Sequence, residues 1–329
     1  MKRKIIKQGH NTLTITLPSK WVKQLNLKPG SEVELLEVDG GLHISTEKNN
    51  EIKVAEFDVS QMDIPTIWNY FMGVYRGGYD EITVKFNPEE KTDNPYKFFS
   101  REAVDQRFSG VKSKKTMGAA LQEFTNRFIG FEIVDHGKNF IKIRDMGQTT
   151  SKEFDNALRR VFFLLKQMIS DTIEAIKKKD SKILEDMHEV DTNLDKFHDY
   201  CIRVMNRMSI HKARRKAVIF SILNFMELIG DEIKGIASHL LKGPKNCDYK
   251  GASNVLSSIE EEFDVYTKLF FNFDKEMVKK FSKIKQKTRN AIFSVPKKAC
   301  DEEKEVLHRL RVIERNINSM MELRIEMEF

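Results

Sequence analysis

From residue 149 to the C-terminus, only Pro244 and Pro296 interrupt a sequence whose apolar residues recur at helical spacing. Proline lacks a backbone N–H and breaks helices, so its scarcity over so long a stretch predicts long helices and excludes a strand-rich fold there. Helix-length segments fall at about 150–179, 181–208, 211–242, 252–273, 275–294 and 299–328. Three helices, a long polar loop and three more helices predict two related three-helix units, about 149–243 and 250–329.

The second of these helices carries a heptad stripe of Met187, Val190, Leu194, Phe197, Cys201, Val204 and Met208, and the third a stripe of Leu223, Met226, Gly230, Ile233, Ala237 and Leu240. Beside the first stripe lie Asp191 and Asp195, one turn apart; beside the second lie Glu227 and Asp231. Folded as an antiparallel hairpin turning near residues 209–211, the two helices place Asp195 level with Glu227 and Asp191 level with Asp231. Like charges one turn apart already destabilise a helix by roughly 0.2–0.5 kcal/mol, and partial burial raises carboxylate pKa values further. A bound cation removes the conflict, and an all-carboxylate set suits hard ions such as magnesium, calcium, manganese or iron. A solvated acidic face paired with lysines is the competing account. Gly230, without a side chain, permits close approach of the helices. His188 and His198, three residues outside the acid pair, are weaker ligand candidates.

The rest of the chain reads differently. Residues 1–48 alternate as strand, short helix ("PSKWVKQLNL"), a "KPGS" turn and a hairpin through "DGG". So small a unit buries too little to stand alone, which predicts a partner subunit. Residues 1–30 hold seven basic side chains and no acid, within a net charge of +7, so an anionic partner is expected. Residues 49–148 mix strands ("EIKVAEFDVS", "DEITVKF"), a helix ("DIPTIWNYFMGVYRGG"), a mostly helical stretch over 100–128 and a hairpin turning at residues 137–139. The chain as a whole is thus multidomain α+β. No phosphate loop, dinucleotide fingerprint or nucleophile elbow occurs, which points away from an enzyme, and a helical metalloenzyme is the weakest reading. The basic start is not followed by an apolar stretch, and no run approaches membrane-spanning length. Cys201, Cys247 and Cys300 are scattered, which predicts free thiols and a cytoplasmic protein.

"VDTNLD" and "MELIGDEIKGIA" together resemble the PhoU family of phosphate-uptake regulators, which repeats a three-helix bundle twice. That family carries a D-x-x-x-D motif on one helix and an E-x-x-x-D motif on the next. The resemblance implies metal binding through Asp191, Asp195, Glu227 and Asp231, the ion being divalent or trivalent: iron, zinc, magnesium or calcium. In the second repeat "VIERNINSM" offers Glu314 and Asn318, and the partner helix is basic without the acid pair, so that site is expected to be weakened or lost.

The stretch "TLTITLPSKWVKQLNLKPGSEVEL" resembles SpoVT-AbrB DNA-binding domains, which form swapped-hairpin dimers. That likeness implies homodimerisation and contacts to double-stranded DNA through Lys4, Lys7, His10, Lys20 and Lys23. The joint arrangement is similar to archaeal PhoU-like regulators. The expected function is a cytoplasmic transcriptional regulator of phosphate homeostasis, without membrane insertion. The alternative is an accessory protein that restrains a phosphate transporter ATPase or a sensor kinase.

Overall fold

The computed structural model describes residues 2–9, 11–38, 41–45, 52–93, 114–147, 150–207, 213–244, 247–294 and 300–329. They divide into two compact units, Met1–Ile52 and Lys53–Phe329.

In the first unit β1 (Ile6–Gln8) pairs antiparallel with β2 (Thr12–Thr14), followed by α1 (Ser19–Gln24). The Ser31 N–H donates to the Lys28 carbonyl at 2.9 Å and Gly30 has φ 90°, which makes residues 28–31 the expected turn with glycine at its left-handed position. Next come β3 (Glu34–Val38) and β4 (Gly41–Ser45), paired antiparallel; the turn residues 39 and 40 lie outside the described residues. Of the residues here whose exposure is described, none is buried.

The second unit begins with a β–α–β turn of chain: β5 (Val54–Asp58), α2 (Ile64–Arg76) and β6 (Glu81–Lys85), the strands parallel. Asp63 caps α2 by accepting from the Thr66 N–H at 2.9 Å, and Pro65 sits in the first turn, where its missing N–H costs nothing. The helix turns its apolar face (Ile64, Ile67, Phe71, Tyr75) onto the sheet. β7 (Lys91–Asp93) pairs with β8 (Lys114–Thr116), and α3 (Met117–Asn126) follows. Within the mostly helical stretch expected over 100–128, Lys114–Thr116 is strand and Met117–Asn126 is helix. Thr116 accepts from the Ala119 N–H at 3.4 Å and so starts the helix at Met117, while Lys114 pairs with Asp93 across the ladder. Residues 94–113 lie outside the described set. β9 (Phe131–His136) and β10 (Phe140–Asp145) complete a four-stranded sheet of order β5-β6-β10-β9.

Six long helices follow: α4 (Ser151–Lys178), α5 (Ser181–Arg207), α6 (Ala213–Lys242), α7 (Lys250–Phe271), α8 (Lys275–Phe293) and α9 (Asp301–Glu326). A capping box opens α4, with Thr150 and Glu153 each accepting from the other's backbone N–H. The expected turn between α5 and α6 lies outside the described residues. The two three-helix sets join through α4 on α7 and α6 on α9, sharing one continuous apolar core. Among the described residues no helix is long and apolar enough to cross a membrane.

The expectation of three free thiols is corrected. Cys201 is a buried thiol inside the bundle, but Cys247 and Cys300 form a disulfide. Packing of α6 against α9 brings the loop after α6 to the start of α9, a proximity that 53 residues of separation does not reveal.

The sheet and the helices are joined along α5. Arg203, fully buried, donates from Nη1 to the Tyr75 carbonyl (2.8 Å) and from Nη2 to the Tyr79 carbonyl and Asp145 (2.7 Å each). Its guanidinium lies over the rings of Tyr75 and Phe131. One turn on, Arg207 reaches Asp80 at 2.5 Å and Asp145 at 2.9 Å.

Candidate functional site

The acidic motifs face each other across the α5–α6 seam. A Cβ built on Gly230 would stand 2.3 Å from Leu194 Cδ2 and 3.5 Å from Asp191 Oδ1, so only glycine lets the two helices meet at this level. Asp191 is buried, while Asp195, Glu227 and Asp231 are half-buried. The Lys234 ammonium, from α6, sits between Asp191 Oδ2 (2.7 Å) and Asp231 Oδ1 (2.6 Å), which sets that expected pair level with one another.

The other acids also meet basic groups. Arg127, at the C-terminal cap of α3, lies 3.8 Å from Asp195. Arg76, the last residue of α2, grips Asp199 through Nε at 2.7 Å and Nη2 at 2.5 Å. Asp199 and these three cations were missed in the sequence. Asp199 continues the ladder of Asp191 and Asp195 by one more turn, a signal available to inspection. The arginines arrive from elements more than 60 residues away, where spacing carries nothing.

Five carboxylates (Asp191, Asp195, Asp199, Glu227, Asp231) thus lie along one seam with Lys234, Arg127 and Arg76. Burial, followed by the charge of Asp191, holds the Asp195 carboxyl well above the usual range. Glu227 is raised by burial and then by Asp231. Burial raises Asp191 despite the opposing Lys234. For Lys234 itself burial works against the charge, but Asp191 and the two hydrogen bonds outweigh it and the pKa rises.

His198 is 1% exposed, and neither ring nitrogen makes a hydrogen bond, although Nδ1 is 3.4 Å from Asp199 Oδ1. Imidazole and carboxylate oxygens are donor types that borderline cations accept. The carboxylates are nevertheless aimed at basic side chains. Among the described residues no three His, Cys, Asp or Glu side chains are arranged as a ready cage for a metal ion. His188 lies half-buried one turn before Asp191.

In the second repeat Glu314 and Asn318 are both buried on α9. The Asn318 amide donates to Glu314 Oε1 at 2.5 Å, and Arg289 Nε from α8 donates to the same oxygen at 2.9 Å. Nearby, Glu262 of α7 is fully buried with neither carboxyl oxygen hydrogen-bonded, and Asn318 Oδ1 has no partner either. Glu262 was missed because a single acid in an apolar helix has no periodic signature.

At the N-terminus Lys4, Lys7, Lys20 and Lys23 are all exposed, with Lys7 on β1 and Lys20 and Lys23 on α1. His10 lies outside the described residues.

These features define a two-module class: a small strand-rich module, then a sheet joined to a helical bundle whose second and third helices carry paired acidic motifs. Residues 158–240, spanning most of α4 to α6, match the PhoU domain, and residues 6–52 match MazE, described as antidote-toxin recognition, bacterial antitoxin. No curated protein and no solved structure gives a significant match to the chain.

Proposed function

We propose that this chain is a homodimeric, DNA-binding regulator of phosphate uptake whose helical domain carries a cation site. One observation carries the reading: a small unit whose first 30 residues are basic without an acid, and none of whose described residues is buried, shares a chain with a bundle that matches the PhoU domain. Ile5, Ile6, Leu13, Ile15, Leu35 and Leu42 of that unit are all at least half exposed, and a second copy of the chain would cover them. The dimer then doubles Lys4, Lys7, Lys20 and Lys23 into one basic surface suited to the phosphates of double-stranded DNA.

In the seam, Asp191, Asp195, Glu227 and Asp231, with His198 beside them, are the residues that would hold a divalent or trivalent ion. Such an ion, when bound, supplies positive charge among these acids. Two of the seam's bases, Arg76 and Arg127, come from α2 and α3, which pack on the sheet.

The test is fluorescence anisotropy of labelled duplex DNA against the full-length protein at low salt. Binding is expected, and it weakens in a Lys4→Ala, Lys7→Ala, Lys20→Ala, Lys23→Ala variant that still dimerises. No binding to any duplex sinks the DNA reading. Co-purification with a phosphate transporter ATPase and no DNA binding would favour the accessory role.

A further inference from the structure

Residues 1–30 hold the whole of the chain's net charge of +7, so the remainder balances as a whole. Within that remainder α8 does not balance. It carries seven basic side chains against a single acid, Glu276, and it lies outside the stretch that matches the PhoU domain. Helix formation gives no reason for this charge. Lys275, Lys279, Lys283 and Lys287 follow one another at a spacing of four residues, where like charges destabilise a helix. Lys275 is the first helical residue and the last turn has no basic side chain, the reverse of what the helix dipole favours.

Packing gives no reason either. The apolar face of α8 (Phe281, Ile284, Ile292) is buried, chiefly against α7. Three of the basic side chains have acid partners: Lys279 on Glu276 at 2.8 Å, Lys287 on Glu261 at 3.0 Å and Arg289 on Glu314 at 2.9 Å. Lys285 is half-buried, and its charge acts on Glu262. Lys275, Lys280 and Lys283 are exposed and meet no acid among the described residues.

The side chains between these lysines narrow the kind of anion. Ser282, Gln286 and Asn290 are exposed, and hydroxyl and amide groups donate to phosphate oxygens. A helix lying on a lipid surface turns its apolar face to the acyl chains, but that of α8 is taken up by the bundle. Phe293, the exposed apolar side chain of α8, has the Arg311 guanidinium over its ring at 5.5 Å. Cations and neutral donors on a face without an apolar strip suit the sugar–phosphate backbone of a nucleic acid.

We propose that the outward face of α8, through Lys275, Lys280 and Lys283, is a DNA-backbone contact surface distinct from the N-terminal lysines. The choice of partner rests on reading the chain as a DNA-binding regulator.

The test follows labelled duplex DNA by fluorescence anisotropy with the full-length protein across a salt series. A Lys275→Gln, Lys280→Gln, Lys283→Gln variant is expected to bind more weakly, and its slope of log affinity against log salt to fall by about one per contacting lysine. Glutamine matches lysine in helix propensity, and circular dichroism checks the fold. If that variant loses helicity, Lys283→Gln alone is measured, with an expected fall of about one. Arginine at the same three positions keeps the charge and should keep the wild-type slope. Lys152→Gln, Lys177→Gln, Lys182→Gln, an equal loss of charge at exposed positions elsewhere, should leave the slope unchanged. A wild-type slope in the α8 glutamine variant, or an equal fall in the Lys152, Lys177, Lys182 control, overturns the proposal. If the N-terminal four-lysine variant loses binding while the α8 variant keeps the wild-type slope, the proposed function stands and this inference fails. The converse supports this inference and removes the N-terminal contact. No duplex binding by wild type overturns both. Phosphatidylserine vesicles form the last arm: vesicle binding that is lost in the α8 variant while DNA binding is unchanged gives the face to lipid and overturns the proposal.

Discussion

Asp191 and Glu262 are both carboxyls sunk in the bundle, and the chain treats them oppositely. Asp191 has Lys234 within 2.7 Å; Glu262 has no hydrogen-bond partner for either carboxyl oxygen. Burial pushes the Glu262 carboxyl up to about 8 from an ordinary 4.5, with the Thr288 hydroxyl opposing and the Glu314 charge adding. Because the folded-state value is raised, the native chain holds a proton that the unfolded chain loses first. Stability therefore declines as pH rises from about 4.5 and levels off above about 8, by at most about 1.4 kcal/mol per pH unit. Thermal melts at pH 5 to 9 should show this slope in wild type and lose it in Glu262→Gln. A second residue-level expectation concerns Gly230. Alanine there forces Leu194 aside and should cost about 1–3 kcal/mol in denaturant unfolding. The acids of the site and Gly230 were legible in the sequence because both obey helical periodicity. Their counter-charges were not, because Arg76 and Arg127 come from the sheet's helices and no spacing rule links them to α5.

The helices were legible almost to their ends, since long amphipathic stripes with polar breaks leave few alternatives. The β7–β8 pair was not: two three-residue strands carry no alternation to read, and their partners lie more than 20 residues apart. Nor did the sequence reveal how firmly α5 is tied to the sheet. Arg203→Met would keep the packing volume but strip the Tyr79 carbonyl of its side-chain donor and leave Arg207 as the cation on Asp145, and should cost about 3–5 kcal/mol. Urea unfolding measures it. The disulfide acts between elements too, tying the loop after α6 to the N-terminal cap of α9. Closing a loop of 53 residues, it should contribute about 4 kcal/mol, read as a fall in melting temperature on reduction that Cys247→Ser, Cys300→Ser reproduces.

At the scale of the molecule, the acid-free basic stretch lies in residues 1–30 of the first unit, whose described residues are all at least partly exposed, whereas the second unit has its own core. Under the proposed function, DNA affinity should fall steeply with salt. A dimer making about 6–10 phosphate contacts would lose roughly 10³–10⁵ between 50 and 200 mM salt, and each lysine removed should lower the slope by about one. The same unit carries a consequence for dosage. If its interior exists only when two chains share it, its ordering becomes a second-order event, and halving the protein level removes more than half of the competent form. Expression level then acts as an input in its own right: below a threshold the helical bundles would persist as folded monomers with unstructured leading segments.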